Sequence, residues 1–447
     1  MNFVIIGGDA AGMSAASRAK RNDPNMNVIV FEKTGDVSYS ACGMPYNIAD
    51  PIRDIDDLVV RSADVFRKKQ GIDLKTGHRV DTIDRPNMRI MGMTENGDMF
   101  QHFYDKLLIA TGASPIKPYI DGINLPGVMV IKSLEDGRKI KAYLKENTVS
   151  SAVIVGMGYI GMEMCEAFRE RNITVDMISL EFMPGFNEKL SQIVRQTVES
   201  KGVNLHDRCK VRKIEKAGEK LKVFLDDESL ETDLVLLGIG VRPNSDIAAD
   251  AGLSLGPKKA VSVNEHLQTS DKNIYSAGDC ADAFHVVTNQ KTWIPLALRA
   301  NRAGWTVADH VCGKPAEISP VAGTAVFKVF DFQVARTGLS MLEALQYGFK
   351  PAEVVIESRS RAHSHPGSTS IWVEMVGDKT SGRLLGVQMT GKEGVAHRIN
   401  APAVALHNQM SVLEFSRTDL AYAPPFSPVW DPMLTAALQL MKYLSVG

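Results

Sequence analysis

At 447 residues the chain is too long for one ordinary domain, and at about 150 residues per domain it should hold roughly three. Lys plus Arg number 51 against 52 Asp plus Glu, a formal net charge of −1, which excludes bulk electrostatic attraction to nucleic acid or to an anionic membrane. No apolar run approaches the ~20 residues of a membrane span, and MNFVIIGG opens without a basic segment ahead of an apolar one. A cytoplasmic protein with no membrane span and no nucleic-acid partner is expected.

Phe3–Ile6 is a β-rich apolar run broken by Gly7 and Gly8. Residues 10–21 are helix formers with small residues on one side, and Val28–Phe31 is a second apolar strand. Strand, turn, helix and strand within about 30 residues make one βαβ unit. Its turn, Gly7-Gly8-Asp9-Ala-Ala-Gly12, puts a carboxylate where the middle glycine of a dinucleotide fingerprint belongs, so that side chain must turn away or meet neighbouring donors. Glu32 ends the next strand, placed to accept from a ribose hydroxyl.

Cys42 follows in Ser38-Tyr-Ser-Ala-Cys42-Gly-Met-Pro45, at the predicted start of a helix, whose N-terminus should lower the thiol pKa. The other cysteines are 165, 209, 280 and 312, with no CxxC, so neither a zinc ribbon nor a vicinal dithiol is encoded. An odd, scattered set fits a reducing compartment.

The strand Leu107–Ala110 ends in Thr111-Gly112, and then the first pattern restarts. Ala152–Val155 reads as a strand, Gly156–Gly161 as a turn, Glu163–Arg171 as a helix and Val175–Ile178 as a strand. Gly156-Met-Gly158-Tyr159-Ile-Gly161 fits GxGxxG in its proper strand–helix context, so dinucleotide binding is expected there. Leu234–Leu237 and Ile274–Ala277 are further strands, the second ending in Gly278-Asp279. Beyond about residue 320, the stretches 324–336 and 371–389 look like strands, and 340–347 and 434–443 look helical. His363 and His365 lack a third ligand and stand beside Arg359 and Arg361, so no metal is expected.

These landmarks together resemble the flavin-dependent pyridine nucleotide–disulfide oxidoreductases over essentially the whole chain. The matching stretches are the first turn with Glu32, Ile109-Ala-Thr111-Gly112 and Gly156-x-Gly158-Tyr159-Ile-Gly161-x-Glu163. Gly240-Val-Arg-Pro-Asn244 and Ile274-Tyr-Ser-Ala-Gly278-Asp279 complete the set. Val37 and Asn47 exclude the CxxxxC of the dithiol members, so the single Cys42 resembles the branch of coenzyme A-disulfide reductases, coenzyme A-dependent sulfur or persulfide reductases, and NADH oxidases and peroxidases.

The resemblance implies an α/β fold: two doubly wound Rossmann-like domains plus a C-terminal α+β dimerisation domain. The expected division is 1–112 with 246–320 for FAD, 113–245 for NAD(P), and 321–447 for a homodimer interface. It implies FAD on Gly7, Gly8, Gly12, Glu32, Thr111, Gly112 and Asp279, and NAD(P)H on Gly156, Gly158, Tyr159, Gly161 and Gly240, with Tyr159 covering the flavin. Catalysis would rest on Cys42, approached by Tyr422 of the partner subunit. The expected substrate is a small-molecule disulfide or persulfide, coenzyme A disulfide, coenzyme A persulfide or polysulfide. Ser14, Arg18, Arg21, Ser38 and Lys69 match the family's coenzyme A contacts, with Arg18 and Arg21 three apart on one helix face as a phosphate clamp.

Ala41, Asn301, Trp430 and Ser364 depart from the coenzyme A-disulfide reductase pattern and favour the sulfur-reductase side. The rival expectation is an NADH oxidase or peroxidase that cycles Cys42 through a sulfenic acid, and a non-catalytic flavoprotein redox module is a further one. Ala10 stands where peroxidases of the branch carry a histidine, which disfavours the first rival. Ser179-Leu180-Glu181 supplies neither the usual acid nor an arginine for a 2′-phosphate, and the missing arginine favours NADH.

Overall fold

The computed structural model describes residues 1–444. Phe3, Val4, Ile5 and Ile6 are at most 5% exposed, as a strand covered on both faces requires. The first sheet is parallel, in the order Ile274–Ser276, Lys106–Ile109, Asn2–Ile6, Asn27–Phe31, Asp73–Lys75. Its outer strand therefore arrives only after the chain has built a second sheet. That sheet is also parallel, in the order Val203–Asp207, Thr174–Ser179, Ser151–Val155, Leu234–Leu237, Val128–Val130. The two βαβ units are thus two doubly wound cores, with the first interrupted by the second.

The third core is a five-stranded antiparallel sheet, in the order Ala325–Val329, Phe332–Gly338, Leu384–Gly391, Ser370–Asp378, Pro351–Arg359. Each long stretch read from alternation is in fact a pair of strands: 324–336 folds back at Phe330, with φ +51°, and 371–389 turns at Gly382, with φ +71°. Alternation reports pleating but cannot locate a tight turn inside it. Two three-stranded antiparallel sheets, spanning 78–103 and 213–232, carry half-exposed strands whose pattern is too weak to stand out. No helix among the described residues is long and apolar enough to cross a membrane.

The first helix, Ala10–Asn22, packs along Ala297–Val311. Small residues make that approach close: Ala11, Ala15, Ala300, Ala303 and Ala308 are all buried between them. Gly304 is the tightest point, since a Cβ there would lie 2.3 Å from the carbonyl oxygen of Ala11. Backbone cannot yield as a flexible side chain does, so Gly304→Ala should cost about 1–3 kcal/mol despite alanine's better helix propensity. A thermal melt checks this: the midpoint should fall by several degrees, while Gly35→Ala, with nothing within 4 Å of its Cβ, should melt like the parent.

Candidate functional site

At the first turn Gly7 adopts φ +110°, and a Cβ there would sit 2.2 Å from the Ala110 carbonyl oxygen. A Cβ on Gly12 would lie 1.9 Å from the Gly7 oxygen, so both glycines let strand and helix close on each other. The Gly8 amide donates to Glu32 Oε2 at 2.7 Å, and Thr34 donates twice to Oε1 at 2.8 Å, which fixes the carboxylate beside the turn.

Asp9 precedes the helix without making a side-chain cap. Burial pushes its carboxyl up to about 6, against the pull of Lys132 and a backbone hydrogen bond from Tyr39. Lys132 Nζ donates to Asp279 Oδ2 at 2.9 Å, so one ammonium serves both carboxyls. The Thr111 hydroxyl donates to the Asn244 carbonyl at 2.5 Å and the Asn244 amide donates to the Thr111 carbonyl at 2.8 Å. Thr111 thus ties the strand end to the Gly240–Asn244 segment. Gly112, with φ +69° and nothing within 4 Å of a Cβ, is left open beside it.

The residues present fit a flavin nucleotide. The turn leaves the first helix amides without a side-chain cap, and Arg299, only 7% exposed, has no partner for Nε while lining the cleft with Cys42, Lys132 and Asp279.

The second turn repeats the construction. Gly156 has φ +114° and a Cβ there would lie 2.4 Å from the Gly238 oxygen; on Gly161 it would lie 2.1 Å from the Gly156 oxygen. A Cβ on Gly158 would meet nothing within 4 Å, so the middle glycine leaves room for a ligand rather than for packing. Gly240, at φ +110°, closes the opposite wall. The cleft over this turn has a volume of about 1160 Å³.

A second cleft, of about 950 Å³, holds Cys42, and the two meet at Tyr159, which lines both. The helix begins at Tyr159 itself, four residues before the sequence reading placed it, which puts the ring at the very end of the glycine turn. That ring packs on Phe327 at 5.0 Å and on the edge of Phe186 at 6.3 Å, so the third core supplies part of its seat.

Cys42 lies in a single 3-10 turn, Ala41–Gly43, ahead of the short helix Met44–Ala49. The expected lowering of its pKa is not found. The residue is exposed, yet the protein around the sulfur pushes the thiol up, chiefly by burial, with Glu163 adding and Lys132 opposing. A three-residue 3-10 turn has no helix macrodipole to offset that burial. Glu163 accepts from the Tyr46 hydroxyl at 2.8 Å, and burial raises its own pKa as well. Lys132, Tyr46 and Arg299 escaped the sequence reading because none stands in a glycine motif. The fold brings Lys132 and Arg299 into the lining of the cleft, while Tyr46 meets it through its bond to Glu163.

The residues matched to coenzyme A are spread along the first helix and its neighbours. Ser14 donates to Asn301 at 2.6 Å. Arg18 does not stand free with Arg21: it grips Asp309 through two bonds of 2.8 and 2.9 Å, and only Arg21 is exposed. Ser38 is half-buried at φ +50°, and Lys69 is exposed in the last turn of Ala63–Gln70. Tyr422 is exposed on the segment before Pro432–Leu440 and does not line its own chain's Cys42 cleft. No cluster of three metal-ligating side chains occurs among the described residues.

Residues 1–304 match the model of the pyridine nucleotide-disulphide oxidoreductases, and residues 324–433 match that family's dimerisation domain. The NAD(P)H coenzyme A polysulfide/persulfide reductase of Pyrococcus horikoshii is 39% identical over 98% of each chain. An NADH oxidase of Methanocaldococcus jannaschii is 33% identical over the full length of both. The solved NAD-dependent persulfide reductase of A. fulgidus superposes with a TM-score of 0.96 at 35% identity, covering 99% of this chain and 83% of that one.

The electrostatics around Cys42 and Asp9 are testable in flavin-stripped protein. The pH midpoint of Cys42 alkylation should lie above the ~8.5 of a free thiol. Glu163→Gln should move it down and Lys132→Met should move it further up; movements of opposite sign would contradict the account. Asp9, with a folded pKa raised to about 6, imposes a cost in stability that is absent below its unfolded value of about 4, grows between the two and is full above pH 6. Asp9→Asn should therefore stabilise the protein above pH 6, by at most about 3 kcal/mol, and do little below pH 4. Melting curves at pH 4.5 and 8 read the difference.

Proposed function

The chain belongs to the pyridine nucleotide-disulphide oxidoreductase family, and from that premise we propose that this flavin-dependent NAD(P)H oxidoreductase reduces the sulfur–sulfur bond of coenzyme A disulfide, coenzyme A persulfide or polysulfide through Cys42. The observation that carries the reading is the isolation of Cys42. It is the one cysteine lining the cleft shared with Tyr159 and Glu163, whereas Cys165 and Cys280 are buried and Cys209 lines the cleft over the second turn.

Residues 1–112 with 246–320 form the FAD unit in this reading, 113–245 the NAD(P) unit and 321–447 the dimer unit. Gly7, Gly8, Gly12, Glu32, Thr111, Gly112 and Asp279 hold FAD, with Thr111 acting through its backbone because its hydroxyl is engaged by Asn244. Gly156, Gly158, Tyr159, Gly161 and Gly240 hold the nicotinamide nucleotide. When bound, FAD accepts a hydride equivalent from the nicotinamide and delivers the electron pair to sulfur.

The chain's own chemistry is at Cys42. Its thiolate attacks one sulfur of the substrate, the S–S bond breaks, and the departing sulfur leaves as a thiolate that takes a proton. Two electrons then cleave the mixed disulfide, releasing its bound half as a second thiolate and returning Cys42 to the thiolate. Because burial raises the Cys42 pKa, Lys132 is the cation that favours the thiolate, and Glu163 can hold the proton it gives up. Arg21, Ser38 and Lys69 are free to meet a phosphate-bearing thiol, while Arg18 must first exchange Asp309 for phosphate. Tyr422, exposed beside the dimerisation core, completes the site by approaching the partner subunit's Cys42.

Cys42→Ser provides the test. The variant should keep its flavin and its slow direct reaction with oxygen, yet lose coenzyme A persulfide and disulfide reduction by at least about a hundredfold, since serine forms no mixed disulfide. Comparable sulfur reduction by the variant would overturn the proposal.

A further inference from the structure

The far end of the cleft over the second glycine turn holds a basic pair, Lys210 and Arg212, that lies outside the Ser179-Leu180-Glu181 stretch. We infer that Lys210 and Arg212 form a subsite for the 2′-phosphate of NADPH, so that this chain binds the phosphorylated nucleotide in preference to NADH. The inference rests on reading the second glycine turn as the nicotinamide-nucleotide site.

Sheet register brings the residues together. Thr174–Ser179 and Val203–Asp207 pair in parallel with Ser179 opposite Asp207, so both strands end at one carboxyl edge. Ligands of doubly wound sheets bind outside that edge. The segment that continues from Asp207 leaves the sheet next to the loop that follows Ser179, and Lys210 and Arg212 line the cleft there with Ser179 and Leu180.

No acid lines the cleft at this end, where Lys210 and Arg212 do; Asp207, opposite Ser179, is paired with Arg195. An NADH site carries an acid at the strand end to accept from the 2′-hydroxyl. Here that position is Ser179, and the nearby Glu181 is exposed without lining the cleft. Apart from Lys210 and Arg212, the formally charged side chains that line the cleft are Arg336 and Glu343, which pair with each other. Lys210 has no ion pair among the described residues. Arg212 leans on Asp226, its Nε 2.6 Å from Oδ1; the Arg212 side chain is 60% exposed and that of Asp226 31%, and the same carboxylate accepts from the Lys210 amide at 3.1 Å. A single carboxylate, still in contact with solvent, competes for a guanidinium less well than a dianionic phosphate does. Tyr119, fully exposed and lining the same cleft, offers a ring face to the adenine.

Calorimetric titration of the purified flavoprotein with adenosine 2′,5′-bisphosphate and with 5′-AMP tests this without turnover. The bisphosphate should bind at least about tenfold more tightly at low salt, and the gap should narrow as salt screens the contact. Lys210→Ala with Arg212→Ala should remove the preference while leaving 5′-AMP binding unchanged, and Asp226→Asn should widen it. Equal binding of the two probes, or a preference untouched by the double substitution, would overturn the subsite. Anaerobic mixing separates the two levels of the argument. Flavin reduced by NADH, with no preference between the probes, contradicts only the subsite. Flavin reduced by neither nucleotide contradicts the redox reading itself.

Discussion

Two clefts on two different sheets can exchange a pair of electrons only if they share a wall thin enough for the reacting groups to meet. In this protein Tyr159 is part of that wall: with Ile160, Val241, Pro295 and Leu296 among others, it lines both the cleft over the second glycine turn and the cleft that holds Cys42. Its position follows from backbone geometry. Gly158 carries no Cβ to fill the turn, the helix starts at once, and the first side chain of that helix is the tyrosine. Phe327, from the third core, sets the ring's tilt at 32°. The dimerisation core therefore supports the junction as well as extending the chain.

Around that junction the charges are arranged so that few carboxylates stand alone. Lys132 bonds Asp279, draws down the buried Asp9, and favours the Cys42 thiolate. Glu163 acts in the opposite sense on the thiol and is itself held by Tyr46. Removing a charge from such a set changes the cost of ionising its neighbours, because burial leaves little water to compensate. Asp9 shows how the chain tolerates an acid in a glycine's place: the carboxyl is held high enough to be largely protonated in mildly acidic conditions, and a lysine faces it above that range.

Much of this was legible in the sequence, and the physical reason is that both units rely on short-range signals. Apolar runs such as Phe3–Ile6 and Ala152–Val155 read as buried strands, and glycines at fixed offsets mark where backbone must approach backbone. Gly7, Gly12, Gly156 and Gly161 all prove to lie where a Cβ would collide with a carbonyl. What was not legible depends on distance along the chain. Lys132 belongs to no motif and reaches the cleft with Cys42 only through the fold. Lys210 lies about thirty residues past the strand where a phosphate-binding arginine was sought, and only the register of Ser179 with Asp207 makes them neighbours. Arg18 looked like half of a clamp because helical spacing cannot reveal Asp309, which approaches from a helix nearly three hundred residues away. Cys42 looked like a helix-terminus thiol because one turn of 3-10 helix and the start of an α-helix share the same local composition.

In the proposed reaction sulfur enters and leaves through Cys42 alone. It is tested most directly by mass spectrometry of peptides from the flavoprotein after exposure to coenzyme A disulfide, before and after addition of excess nicotinamide nucleotide. The account predicts one coenzyme A moiety disulfide-linked to the Cys42 peptide and lost on reduction. An adduct confined to Cys209 or Cys312, or no adduct at all with a disulfide that is nevertheless turned over, would contradict it.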